Sequence, residues 1–224
     1  MPLVQQYLDQ IRVQMPAEDQ WSEPIEYMFG GLHFRSQIAL TDLTDTDGEP
    51  ISGDTYHDMS LTDPLWIVQT LGLMVAHHPL YIAISEGRDG AARQSYESLH
   101  NPQGPYGIHL TGSGIEYSGD KAVLGIDPIV LDRENGLTRY RHAIPVERLS
   151  SKVGGQVLLD ERSSWFSRQG GRKLKHPIKL YESTSDGLKY LCVDFVRTDG
   201  EVHVSAGAPP SSNLAWYIRL MRKH

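Results

Sequence analysis

The sequence predicts an α+β protein: a mostly antiparallel β-sheet with an N-terminal helix, a buried central helix at about 63–78 and a C-terminal helix. Three observations lead there. Apolar residues recur at helical spacing near both ends of the chain. A run after Asp63-Pro64 is apolar almost all round, as a buried helix is. Beyond residue 107 the chain breaks into short runs rich in β-branched and aromatic residues, separated by turn residues.

Leu3, Tyr7, Leu8, Ile11 and Met15 give the N-terminal helix its apolar face, and Pro16 stops it. After an acidic connector, Ile25–Phe29, the pair Gly30-Gly31 and the alternating Leu32, Phe34, Ser36, Ile38 and Leu40 read as a hairpin. Residues 41–58 read as a polar, acidic loop. Asp63 caps and Pro64 opens the central helix, which His77, His78 and Pro79 close. Leu80–Ser85 reads as a strand and Ala91–Leu99 as a short helix. The Pro- and Gly-rich stretch at 101–107 is the best internal boundary. Seven strands follow between residues 108 and 205, and close turns such as Asp186-Gly187 and Asp199-Gly200 favour antiparallel pairing. After Pro209-Pro210, a Ser212 cap with Leu214, Trp216, Tyr217 and Leu220 reads as the final helix, with Arg219, Arg222 and Lys223 at its C-terminal end.

The 224 residues suit a single domain, with 1–100 and 108–224 as the one natural subdivision. Composition is that of a soluble globular protein. The start of the chain lacks a basic segment followed by an apolar run, so no secretory signal is expected. The longest apolar stretch is too short to span a bilayer. A single cysteine, Cys192, excludes an internal disulfide and any multi-cysteine zinc site. These features point to a cytoplasmic protein, or part of a particle assembled in the cytoplasm, with no membrane partner.

Charge is segregated along the chain. Residues 1–130 carry 18 acids and 5 bases, whereas residues 131–224 carry 10 acids and 16 bases. Arg162, Arg168, Arg172, Lys173, Lys175 and Lys179 fall in one stretch with no acid, which also holds Trp165. Such asymmetry speaks to partners and association. The acidic counterpart is the turn with Asp42, Asp45, Asp47 and Glu49. In a calcium-loop register, Asp45, Asp47 and Gly48 take three expected places, but Leu43 and Asp54 stand where a carboxylate and a glutamate are required. A solvated acidic turn is the better reading.

Catalytic motifs are missing. The glycine-rich 109–119 stretch has neither a following Gly-Lys-Ser/Thr nor the dinucleotide spacing, and its glycines suit turns. Cys192 sits in a strand pattern. His57, Asp58, His77 and His78 are the only metal candidates, and adjacent histidines on a helix diverge by about 100°. No metal or other cofactor is expected. The leading expectation is a non-enzymatic assembly subunit that meets a protein partner, or itself, through oppositely charged patches. A phage or other supramolecular particle is a natural setting. The alternative is a nucleic-acid-binding protein or phosphate-handling enzyme using residues 162–179 with His109, Glu116, His142 or His176. A metal-dependent hydrolase comes third.

Overall fold

The computed structural model describes residues 13–51, 68, 71–86, 90–99, 107–132, 137–147, 156–159, 178–183, 185–195, 202–206 and 215–224. Strand dominates. Three sheets are built from β1 (Val13–Gln14), β2 (Ile25–Phe29), β3 (Leu32–Ile38), β4 (Thr44–Asp45), β5 (Met74–Val75), β6 (Gly107–Ser118), β7 (Lys121–Asp132), β8 (Leu137–Glu147), β9 (Gln156–Leu159), β10 (Ile178–Tyr181), β11 (Gly187–Phe195), β12 (Val202–Ala206), β13 (Ala215–Ile218) and β14 (Leu220–Lys223). The described α-helices are α1 (His78–Glu86) and α2 (Gly90–Leu99). The large sheet runs β8-β7-β6-β11-β12-β10-β9, with β13 also paired to β6. A four-stranded sheet runs β2-β3-β14-β5, and β1 pairs with β4. Pairing is antiparallel except for β10 with β12 and β13 with β6.

The three-helix α+β expectation is overturned. The chain end is extended: Ala215–Ile218 pairs with β6, and Leu220–Lys223 pairs with β3 and β5. Aromatic and β-branched residues there suit a strand as well as a helical stripe, and the open places beside β6 and β3 decide. The central-helix expectation fails over its second half. Val68 is helical and buried, but Leu71 lies in a turn and is 45% exposed, and Met74–Val75 is strand. The rest of 63–70, like the expected N-terminal helix up to residue 12, lies outside the described residues. The expected strand at Leu80–Ser85 is instead α1, with Pro79 in its first turn, where the missing N–H costs nothing. Leu80, Tyr81, Ile82, Ile84 and Ser85 are all buried. A short apolar run buried on every side has no period to separate helix from strand.

The expected hairpin is present, with Tyr27 opposite Phe34 and Met28 opposite His33. Gly30 and Gly31 have φ of 58° and 81°, the left-handed pair that a two-residue turn of this twist requires. The glycine-rich 109–119 stretch is neither a turn nor a phosphate loop: up to Ser118 it is the central strand β6. Gly114 lies opposite Gly125, and the Tyr140 ring occupies the space that side chains there would fill.

Two apolar cores share the large sheet. Leu191 and Val193 belong to the first, together with Ile25, Tyr27, Leu80, Ile84, Ile115 and Tyr117. Cys192 belongs to the second, with Trp21, Leu43, Ile51, Val68, Leu110 and Ile218. The first core therefore draws on residues from both sides of the 101–107 boundary. No helix among the described residues is long and apolar enough to cross a membrane.

β6 bulges at Thr111–Ser113, where its neighbour changes from β13 to β7. The side chains of the bulge bond backbone groups of β11 and α1. Thr111 Oγ1 donates to the Leu191 carbonyl at 2.7 Å, and Ser113 Oγ accepts from the His78 N–H at 2.8 Å. The second bond serves a donor that the first turn of α1 leaves unpaired. At the same level Ala76 N–H donates to the Arg219 carbonyl, and Gly112 N–H donates to the Ala76 carbonyl. The segment before α1 and the β13–β14 junction are thus locked onto the bulge. That lock sets the two places where charged groups gather.

Candidate functional site

The first gathering lies where β2, β7 and β14 meet the start of α1. His77 immediately precedes α1, and its ring is fully buried. Its Nδ1 is 3.1 Å from Asp127 Oδ1, and its Nε2 is hydrogen-bonded to the Tyr27 hydroxyl. The Tyr27 hydroxyl is also 3.0 Å from Ser36 Oγ. Lys223 Nζ donates to the other Asp127 oxygen at 2.6 Å, and His142 Nε2 stands 3.9 Å from it. Phe34 closes the group from the hairpin, stacked on Tyr27 and edge-on to His77 and His142.

The proton arrangement follows from the partners. Ionised Asp127 only accepts, so His77 Nδ1–H donates to it and Nε2 is left as an acceptor. Tyr27 then donates to Nε2, and Ser36 donates to Tyr27. The result is a directed chain, Ser36 to Tyr27 to His77 to Asp127, with Lys223 donating from the opposite side. Burial lowers the His77 pKa more than Asp127 raises it, and Lys223 and His142 add to the lowering. His77 is therefore neutral at pH 7. Burial raises the Tyr27 pKa, so its phenol keeps its proton. For Asp127, burial raises the pKa, but hydrogen bonds and charge from His77 and Lys223 outweigh it and leave the carboxyl well below its usual range.

Asp127 also has φ of 57° and is the one non-glycine residue with positive φ among the described residues. Aspartate tolerates this region better than most residues. Next to it the β7–β8 register shifts between Pro128 and Val130, and such a bulge re-aims a side chain. Outside Asp127 lies a cleft of about 210 Å3, lined by Val68, Leu73, Met74, Val75, Pro128, Ile129, Arg141, Lys223 and Asp127 itself.

The second gathering centres on Arg219, the residue between β13 and β14, which is 4% exposed. Its Nε donates to Asp42 Oδ1 at 2.8 Å. Nη1 donates to the Ala39 carbonyl and Ser98 Oγ, and Nη2 to the Ser98 carbonyl. Ser98 lies in the last turn of α2, so the guanidinium meets the negative end of that helix. His109 Nδ1 is 3.7 Å from Asp42, with its ring beside Tyr81 and Tyr217. Burial lowers the His109 pKa to about 4, against the raising effect of Asp42.

The residues expected to act together are therefore scattered. His109 is buried at the Arg219 gathering, His142 is half-buried beside Asp127, and Glu116 is exposed on β6. Asp42 is held by Arg219, and Asp45 Oδ1 accepts the N–H groups of Asp47 and Glu49 to close its own turn. Asp47 and Glu49 remain exposed. His77 and His78 precede and begin a helix rather than closing one. Burial, then the neighbouring His77, lowers the His78 pKa to about 3. Among the described residues no group of three or more His, Cys, Asp or Glu could hold a metal ion. His57, Asp58, Arg162, Trp165, Arg168, Arg172, Lys173, Lys175 and His176 lie outside the described residues, and Lys179 lies on β10. Burial pushes the Cys192 thiol up to about 12, which suits a packing role.

Tyr27, Asp127, Arg141, Arg219 and Lys223 are missing from the expected site residues. One signal for them exists: Asp127 is a lone acid in the apolar run Leu124–Leu131, followed by a proline that central strands avoid. No family model, curated protein or solved structure matches this chain.

Proposed function

We propose that the chain is a non-enzymatic interaction subunit of a larger assembly, in the cytoplasm or in a particle built there, contacting its partners through surfaces of opposite charge. The observation that carries this reading is how the buried groups His77 and Arg219 are engaged. Both nitrogens of His77 are bonded inside the protein and its ring is fully buried. A general base needs a nitrogen within reach of its substrate. Arg219 is likewise enclosed by Asp42, Ala39 and Ser98.

Asp47 and Glu49 face outward on a turn whose backbone Asp45 already fixes. They can meet a cation without ordering the loop on binding, which lowers the entropic cost of association. The cations at 162–179 supply the complementary sign on a neighbouring copy or another protein.

The test is light scattering of the purified chain across a salt series, alone and with charge variants. Self-association is expected to weaken as the Debye length shrinks from about 8 Å at 0.15 M to about 3 Å at 1 M. Reversing Asp47 and Glu49 to Lys should abolish it, and reversing Arg172, Lys173 and Lys175 in the same chain should restore part of it. A monomer at every salt concentration that turns over a small molecule would contradict the reading. So would tight, salt-dependent binding of RNA or DNA.

A further inference from the structure

The cleft outside Asp127 is built as a ligand site, independently of how the chain assembles. We infer that it binds a small organic carboxylate with an apolar body about the size of one aromatic ring. Four observations converge on this.

The cleft combines apolar walls, including Val68, Leu73, Met74 and Ile129, with polar groups from Arg141, Lys223 and Asp127. Ligand pockets share this composition, an apolar lining with a few placed polar groups. Its volume of about 210 Å3 is below the roughly 300–1,000 Å3 of pockets for drug-sized molecules, so the ligand is a single ring or a short branched chain.

The charges select an anion. Asp127 is matched by Lys223 at 2.6 Å. Arg141 is exposed and has no hydrogen-bond or ion-pair partner among the described residues. Among the described residues the cleft therefore carries one unmatched positive charge, on the side chain whose planar fork fits a carboxylate. Lys223 has three N–H donors and Asp127 takes one of them. A monoanion balances this site, whereas a dianion such as phosphate would face the Asp127 carboxylate with its second charge.

The backbone marks the same spot. Asp127 is held in the left-handed region beside a register shift, and non-glycine residues in that region cluster at binding and active sites. At the rim, Ile129 is 43% exposed, an apolar side chain on β7 that a bound ring would cover.

The experiment is a 1H–15N NMR titration with phenylacetate. The comparators are phenylacetamide, which has the shape without the charge, acetate, which has the charge without the ring, and inorganic phosphate. Saturable shifts are expected at Met74, Val75, Asp127, Ile129 and Lys223. Phenylacetate should bind about tenfold tighter than any comparator, as expected for a charge-assisted pair. Arg141→Gln, on an exposed side chain, should weaken phenylacetate about tenfold, and Ile129→Ser should weaken it several-fold. Absence of saturable shifts, equal binding of phenylacetamide, tighter binding of phosphate, or unchanged affinity in Arg141→Gln would each overturn the inference.

Discussion

Arg219, at the β13–β14 junction, and Lys223, at the end of β14, lie four residues apart, and each donates to an aspartate from a distant part of the chain. Their surroundings differ. The Arg219 side chain is 5% exposed, and its donors reach Asp42, Ala39 and Ser98. The Lys223 side chain is 39% exposed, and Asp127 is its one described acceptor. A guanidinium taken from water must replace most of its solvent bonds inside the protein, and the β13–β14 junction does this by drawing in the 39–42 loop and the end of α2. The ammonium keeps water on one side, so its aspartate can serve both the internal chain to Tyr27 and the cleft. The Arg219 gathering is a closed fastening and the Lys223 gathering is one with an open face. The same end of the chain thus makes an enclosed contact and one wall of the cleft, and burial separates the two.

The largest expected effect touches both gatherings. His77, His78 and His109 all have pKa values depressed by burial. Below about pH 6.5 the unfolded chain takes up protons that the folded chain refuses, so stability is full above that pH and falls as pH drops toward the depressed values. His78 and His109, with values of about 3 and about 4, each contribute a slope of up to about 1.4 kcal/mol per pH unit. Urea midpoints should therefore fall steeply between pH 6 and pH 5, with these two together removing on the order of 2 kcal/mol per unit and His77 acting in the same direction. A flat profile across that range would mean that these rings reach water.

The closed fastening comes next. Arg219→Met leaves Asp42 without its cation and Ser98 without its donors, and should cost about 3 kcal/mol or more in denaturant melts. Adding Asp42→Asn should recover part of that loss, because the stranded charge is gone. The open gathering should answer more weakly. Lys223→Met should cost about 1 kcal/mol, since water can solvate the exposed side of Asp127. Equal losses for the two cations would erase the distinction between them.

Much of the local structure was legible. Gly30-Gly31 between alternating strands allows little but the observed hairpin, and Gly90–Leu99 has the composition of the short helix it forms. The failures share one cause. Residues 80–85 and 215–223 hold apolar side chains that either period can accommodate, and their state is set by neighbours far along the chain. In the sequence, Arg219 and Lys223 have the spacing of cations on a helix end. Their real acceptors, Asp42 and Asp127, are 177 and 96 residues away, and no local pattern encodes such pairings. Asp127 was the readable exception, since an acid inside an apolar strand must find a partner.

The tautomer of His77 tests the central claim most directly, because the proposed non-catalytic role rests on the enclosure of this ring. Long-range 1H–15N NMR of the ring across pH 8 to 5.5 should show a neutral imidazole protonated on Nδ1 at pH 7 and above, with its protonation midpoint below 6.5. A ring protonated on Nε2, or one that titrates at 6.5 or above, would show that the Tyr27–His77–Asp127 chain is not closed and that His77 is free to exchange protons with a substrate.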